Sequence, residues 1–565
     1  MSDQYGSVIW EFPDKQAILV EDLVSTVLDR RGFNVDEIDS LLKPRYADLP
    51  DPFLLPDMKD AVDHILKLRK ADHEIAIYGD YDIDGLTACT LLADVFSHLH
   101  IKHRIYIPDR FEEGYGINIQ AVDELHKEGV HTVISVDCGS TALAPALRAQ
   151  ELGLHLIITD HHTLIHEKIP GALAHINPLR AASSYPERKL AGVGVAFALA
   201  RALQSTIPDD FEAGQEKWLL DLVVLGTVCD VVPLVGENRL LAHYGLRVMA
   251  KTKRVGIRSL ASVSGVDLKQ IAAEHLGFRF GPRLNAAGRI EHAQKALRLL
   301  TADDTNQANL YAEHLDQLNQ ARQATTRQIV SEARNVAVNY LDDPILVIGD
   351  GNWSHGIVGL VAARLSEELL RPTLVMQFEG DTAKGSARSF GSISIIDAIR
   401  SQEDLFESFG GHQAAAGFRI KRSNINALRD GLNAYAKTAI DPESWVKRQS
   451  VDAWLEPSFA TESGIEQLTL IEPTGQMMPP VRFGVIGQVM SLRKVGQDQS
   501  HYQLTVRSDN HDYRMIAFGA SQVWPWLEVG IEAKFVIRLS QSEWQGVTKV
   551  ESIVVDCIPQ DGQFE

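Results

Sequence analysis

An apolar run, Ala76-Ile77-Tyr78, passes through Gly79 into three carboxylates at alternate positions, Asp80, Asp82 and Asp84, followed by Gly85 and a helix-like run from Leu86. In an extended strand, residues i, i+2 and i+4 share a face. The spacing therefore predicts that the three aspartates converge at the tip of a buried strand. Like charges held that close repel one another unless a cation neutralises them. The competing reading is an Asx-type turn between strand and helix, which uses one or two Asp to hold the backbone.

The pattern recurs twice. Val133-Ile134-Ser135-Val136 ends in Asp137, and Leu156-Ile157-Ile158-Thr159 ends in Asp160-His161-His162. Ligands of open α/β sheets bind outside the carboxyl ends of the strands, so successive strands would deliver Asp82, Asp84, Asp137 and His161 to one edge. Mixed carboxylate and imidazole donors suit Mn²⁺, Mg²⁺ or Fe²⁺ better than structural zinc, which prefers thiolates.

The 565 residues are enough for three or four domains. The cysteines, Cys89, Cys138, Cys229 and Cys557, have neither metal-finger spacing nor the look of a disulfide framework. The longest apolar region, 219–235, is interrupted by Asp221 and Asp230, which argues against a membrane span. The first residues carry neither a basic region nor an apolar core, and a cytoplasmic protein is expected. A net charge of −20 argues mildly against a nucleic-acid partner. Local clusters such as Lys251, Lys253, Arg254 and Arg258 leave room for a basic channel, although a solvated face explains them as well.

The expected architecture is α/β. Residues 1–50 read as a small helical preface. Strands at 74–80, 103–108, 131–137 and 155–159 alternate with helical patterns inside a domain at 51–303, which implies parallel βαβ units. Residues 304–342 contain no Gly or Pro and carry a loose apolar stripe, predicting one long connecting helix, or two in succession. A second α/β unit spans 343–440. From 450 to 560, short alternating runs separated by turn residues predict an OB-like antiparallel barrel.

These motifs resemble those of the DHH phosphoesterase superfamily: Asp82-Ile83-Asp84-Gly85, Asp137-Cys138-Gly139 and Asp160-His161-His162, then Gly281-Pro282-Arg283-Leu284-Asn285-Ala286-Ala287-Gly288-Arg289, then the glycine-histidine signature Gly410-Gly411-His412-Gln413-Ala414-Ala415-Ala416-Gly417 of the companion DHHA1 domain. With the barrel, they resemble the bacterial branch that degrades single-stranded DNA from the 5′ end. The resemblance implies two divalent cations, Mn²⁺ or Mg²⁺, held by Asp82, Asp84, Asp137, His161 and Asp230. Asp80 belongs to the same pattern, as a direct or a water-mediated ligand. It implies catalytic roles for Asp80, Asp137, His162 and His412, and contacts to the substrate's 5′ end and phosphates from Arg110, Arg283, Arg289, Ser386 and Arg388. It also implies single-stranded DNA as partner, with a single-strand-binding protein and a RecQ-type helicase beside it, and no membrane.

Chemistry supports several of these roles independently. Two cations about 3.5–4 Å apart activate water and stabilise a leaving oxygen, and one carboxylate must bridge them; Asp137, at the central strand end, is the choice. Glycines around His412 let a backbone come close to a ligand, and arginine suits bidentate phosphate contacts. In the barrel, Tyr502, Trp524, Trp526 and Trp544 with Arg493, Lys494 and Arg507 fit base stacking on a single strand, or, for the tryptophans, ordinary core packing. The segment 471–480 departs from the Gly- and Asn-rich linker expected before the barrel, leaving its path open. A phosphodiesterase on small substrates and a non-catalytic scaffold are the alternative functions.

Overall fold

The computed structural model describes residues 7–559 except 111, 112, 115, 497, 498, 545 and 546, and no side chains at 542–549, so the Trp544 ring lies outside what is described. Contacts divide the chain into two units, Asn34–Gln320 with Ile471–Pro480, and Met1–Phe33 with Ala321–Leu470 and Val481–Glu565.

The first unit is built on a five-stranded parallel sheet in the order His103–Tyr106, Ile75–Gly79, Thr132–Val136, His155–Thr159, Ala174–Ile176. The strands Ile75–Gly79 and Thr132–Val136 are buried along their whole length. Both of their faces are covered, which is why they read as continuous apolar runs rather than alternating ones. The fifth strand, Ala174–Ile176, was not expected; three residues are too few to show a periodicity. The helix Ile83–His98 packs against Gly192–Thr206 and Leu220–Cys229 and is buried almost all round, so it carries no polar stripe.

The segment 471–480 returns to this unit. Leu234 N donates to Gln476 O at 2.8 Å, and Arg239 Nη1 donates to Pro473 O at 2.9 Å.

The second unit contains a mixed sheet in the order Phe406–Gly411, Ala415–Lys421, Thr382–Arg388, Thr373–Glu379, Leu346–Asp350, parallel only in its last pair. One face buries the helix Ile425–Ala439 and the other His355–Leu369. The chain enters this unit along one helix, Thr305–Ala337, as the missing Gly and Pro predicted. Its barrel closes because Phe483–Val495 pairs with both His501–Ser508 and Glu532–Trp544, while His511–Ala517 and Val547–Pro559 complete the ring. The amino-terminal segment is not helical throughout. Ser7–Glu11 is a strand, paired in parallel with Val446–Ser450. Among the described residues, no helix is long and apolar enough to cross a membrane.

Candidate active site

The three aspartates of the opening motif do not lie along one strand. The strand ends at Gly79, Asp82 caps the next helix, and Asp84 sits in that helix's first turn. Asp82 Oδ1 accepts from Asp84 N at 3.0 Å and Gly85 N at 3.2 Å, and Asp80 Oδ1 accepts from Tyr81 N at 2.8 Å. The turn and the acidic cluster are the same structure, since backbone amides stabilise the carboxylates that the turn gathers. A side chain at Gly85 would strike the Asp80 backbone at 2.5 Å, so this close approach requires glycine.

Asp137 follows its strand with φ +60°, a left-handed conformation that Asp tolerates better than most residues. A Cβ on Gly192 would lie 2.6 Å from Asp137 Oδ1. That glycine opens the helix Gly192–Thr206, whose first amides bind Asp84: Gly192 N reaches Oδ2 at 2.6 Å and Val193 N reaches Oδ1 at 2.8 Å. Asp230 arrives at the C-terminus of Leu220–Cys229. His161 Nε2 lies 3.1 Å from Asp137 Oδ1, 3.7 Å from Asp230 Oδ2 and 3.8 Å from Asp84 Oδ2.

Three donor groups emerge, each with ligand atoms within 4.8 Å of one another: Asp80, Asp82 and Asp137; Asp84, His161 and Asp230; and Asp137, Asp160, His161 and His162. Asp80 is 4% exposed, Asp84 1% and Asp137 2%. Burial, then the neighbouring carboxylates, pushes the acids of Asp80 and Asp137 well up, Asp84 up to about 7 and Asp230 up to about 9. Asp137 Oδ1 is buried and accepts no hydrogen bond among the described residues. A carboxylate cluster that is this dry and mutually repulsive, with an acceptor left unsatisfied at its centre, fits divalent cations.

Asp160 behaves differently. Burial pushes its carboxyl up, but the His162 hydrogen bond, the charges of both histidines and the Ser140 amide outweigh burial and hold it below the usual carboxylate range. Burial lowers His162 in turn, but the 2.8 Å Nδ1–Asp160 bond prevails and raises it to about 9.

The basic candidates have different surroundings. The Arg110 guanidinium lies 5.2 Å over the Tyr81 ring, and Arg289 also influences that phenol. Arg283 donates to Asp316 at 2.8 Å and to the Arg279 carbonyl at 2.8 Å. In the other unit, Arg388 Nη1 donates to Ser386 Oγ at 2.8 Å. Gly359 passes so close that a Cβ there would lie 3.1 Å from Ser386 Oγ and 3.2 Å from Arg388 Nη2. His412 is exposed at the turn between Phe406–Gly411 and Ala415–Lys421, its amide donating to Ala415 O at 2.8 Å. In the barrel, Tyr502 and Trp524 are buried and Trp526 is half-buried, so the first two are core residues.

Sequence reasoning did not assign the Gly192 and Val193 amides, Tyr81 or the supporting role of Asp160. The Gly192-Val193-Gly194 run and the position of Asp160 directly before two histidines were the available signals.

A parallel sheet that delivers Asp, Asp and Asp-His-His from consecutive strand ends defines a phosphoesterase of the DHH type. Residues 74–227 match the DHH family, N-terminal domain, 334–438 the DHHA1 domain and 451–556 the RecJ OB domain. The single-stranded-DNA-specific exonuclease RecJ of Bacillus subtilis (strain 168) is 35% identical over 547 residues, covering 96% of this chain and 68% of the relative. The crystal structure of RecJ from Thermus thermophilus with Mn²⁺ superposes with a TM-score of 0.83 at 29% identity, covering 98% of this chain and 80% of that one. The same protein's structure with Mg²⁺ gives 0.76 at 27% identity, with 98% and 79% covered. The chain belongs to the RecJ family of single-stranded-DNA-specific exonucleases.

Proposed function

We propose that the chain hydrolyses single-stranded DNA from its 5′ end, releasing nucleoside 5′-monophosphates in recombination and repair. Two divalent cations, Mn²⁺ or Mg²⁺, would be held by Asp82, Asp84, Asp137, His161 and Asp230, with Asp80 adjoining. The observation that carries this reading is Asp137, whose carboxylate belongs to two of the three donor groups and so could serve both cations. The relatives solved with Mn²⁺ and Mg²⁺ support the choice of metal.

When bound, the cations supply a nucleophile at neutral pH and offset charge on the leaving oxygen. The residues do the rest. The amides of Gly192 and Val193 fix both Asp84 oxygens, and Asp160 fixes His162 through Nδ1, so that His162 meets the scissile phosphate through Nε2. Arg110 and Arg289 bind phosphates of the strand, with Tyr81 limiting the motion of Arg110. Arg283 joins them only by leaving Asp316. Ser386 and Arg388 form a preassembled phosphate contact, and His412 donates to a phosphoryl oxygen as charge develops. A single-strand-binding protein and a RecQ-type helicase in the cytoplasm are the partners this family reading implies.

The test is an oligomer labelled at either end, with Mn²⁺, Mg²⁺ or EDTA, beside a matched blunt duplex. Metal-dependent release of mononucleotides from the 5′ end, with the duplex spared, is expected. An inert oligomer alongside hydrolysis of dinucleotides would replace this reading with a small-substrate phosphodiesterase.

A further inference from the structure

Behind the histidine pair lies a dry hydrogen-bonded layer, of which only Asp160 has so far been given a part in the reaction. Asp160 is 1% exposed and accepts from four N–H groups: Ser140 N at 2.8 Å, His161 N at 2.7 Å, His162 N at 3.1 Å and His162 Nδ1 at 2.8 Å. Three of these donors lie on the loop that carries both histidines, and the fourth, Ser140 N, ties that loop to the segment after Asp137. Asn177 closes the arrangement from the next strand. It is 0% exposed and follows Ala174–Ile176 directly. Its Nδ2 donates to Ser140 Oγ at 2.9 Å and to the His162 carbonyl at 3.0 Å, while its Oδ1 accepts from Leu179 N at 2.8 Å.

His175 completes the layer. Ile169 N lies 3.4 Å from His175 Nδ1, and an amide N–H can only donate, so Nδ1 is the acceptor and the ring proton is on Nε2. Nε2 then donates to Ser140 Oγ at 3.1 Å. The Ser140 hydroxyl oxygen thus receives two donors, from Asn177 and His175. His175 is itself held by its neighbours: its amide donates to Asp57 Oδ2 at 3.0 Å, and Arg180 Nη1 donates to its carbonyl at 2.5 Å and to Asp57 Oδ2 at 3.0 Å.

We infer that Asn177 and Ser140, backed by His175, are positioning residues for the exonuclease reaction: they hold the His161–His162 loop in register with Asp137 without touching DNA. The inference rests on the proposed two-cation reading and adds residues to it. A polar layer this densely hydrogen-bonded favours one geometry, because a displacement leaves buried donors or acceptors unpaired. Partners placed behind metal-ligating histidines alter metal affinity or activity by about 10–100-fold when removed.

The test compares Asn177→Ala and Ser140→Ala in the full chain. A control, Asn238→Ala, removes an equally buried amide that donates to Lys189 O at 2.6 Å elsewhere in the same unit. Four quantities are measured: Tm, Mn²⁺ affinity by calorimetry, and kcat and KM on a single-stranded oligomer. The expected result is a kcat reduced about 10–100-fold in both test variants, weaker Mn²⁺ binding and KM within about two-fold, with Asn238→Ala matching their loss of Tm but keeping kcat. Wild-type kcat and Mn²⁺ affinity in Ser140→Ala would overturn the inference, and so would an equal fall of kcat in the control. Should Asn177→Ala fail to fold, Ser140→Ala decides the question, since it deletes one oxygen and leaves no bulky cavity. If the wild-type chain itself releases no nucleotides, the proposed function fails instead, a result that the wild-type arm reports separately.

Discussion

The two five-stranded sheets handle charge in opposite ways. The parallel sheet of the first unit concentrates carboxylates at one end, buries them and leaves an oxygen of Asp137 unsatisfied. The mixed sheet of the second unit pairs its candidate groups in advance, with Arg388 on Ser386 and His412 in solvent. A buried like-charge cluster is incomplete without its counter-ion. An arginine that is already hydrogen-bonded is ready for an anion at little rearrangement. The first sheet should therefore show sharp, metal-linked responses, and the second should show graded losses of substrate affinity.

The largest expected effect comes from Asp137→Ala. Losing the shared ligand should lower kcat beyond the ~10²–10³-fold typical of removing one electrostatic contact in an active site. In EDTA the variant should be at least as thermostable as the parent, because it removes one of the repelling charges. Measurable cleavage at the parental rate would refute the shared-ligand assignment, and a lower Tm in EDTA would refute the repulsion argument.

Stability against pH tests the same contrast. Asp84, up at about 7, and Asp230, up at about 9, bind protons more tightly folded than unfolded, as does His162 at about 9. Their stabilisation is complete below the unfolded-state values and is lost as pH rises through the folded ones. Asp160, shifted down, acts oppositely and loses its contribution only in acid. Without metal, Tm should therefore fall as pH rises above the ordinary carboxylate range, the share of Asp84 being lost by about 7 and that of Asp230 and His162 by about 9. Saturating Mn²⁺ should reverse the slope, because cation binding requires deprotonated ligands. Parallel Tm profiles with and without Mn²⁺ would break the comparison between the sheets.

In the second unit, Arg388→Ala should raise KM for single strands about 10–100-fold, the equivalent of ~1.5–3 kcal/mol for hydrogen bonds to a charged group, with a smaller effect on kcat. Arg388→Lys should recover only part of this, since one ammonium cannot replace a planar fork. A pure kcat defect would place Arg388 with the catalytic groups and remove the distinction.

The strand-end aspartates were legible because their chemistry survives an error in geometry. Alternation placed Asp80, Asp82 and Asp84 along one strand, whereas a cap and a helical turn gather them. The residue types still required convergence. The connecting helix and the barrel were legible from missing helix breakers and from alternation. What escaped was non-local. Nothing near Ser7–Glu11 announces a partner at Val446–Ser450. The amide of Gly192 acquires its role only when Asp84 arrives from the first turn of another helix. Asn177 looks like a loop residue until the short strand before it takes its place at the sheet edge. Tyr502 and Trp524 show the converse: aromatic and cationic residues suggested stacking, and burial assigns both rings to the core.

Deleting the barrel would be an unclean test, because Arg31 grips Asp452 at 2.8 Å and Trp10 Nε1 donates to Asp556 at 2.6 Å, so the amino-terminal segment would lose both contacts too. Point variants on the barrel surface avoid this. Arg493 and Lys494 are exposed, while Arg507 is bound to Asp512 through Nε and Nη2 at 2.7 and 2.9 Å. If the barrel follows the strand by its phosphates, Arg493→Ala and Lys494→Ala should each weaken binding a few-fold and reduce the salt slope by about 0.7. Arg507→Ala should do less, because Asp512 already offsets its charge. Trp524→Ala should instead cost ~3–5 kcal/mol of stability through the cavity it leaves. Equal salt slopes in the parent and the Arg493 and Lys494 variants would exclude this face of the barrel from the DNA path.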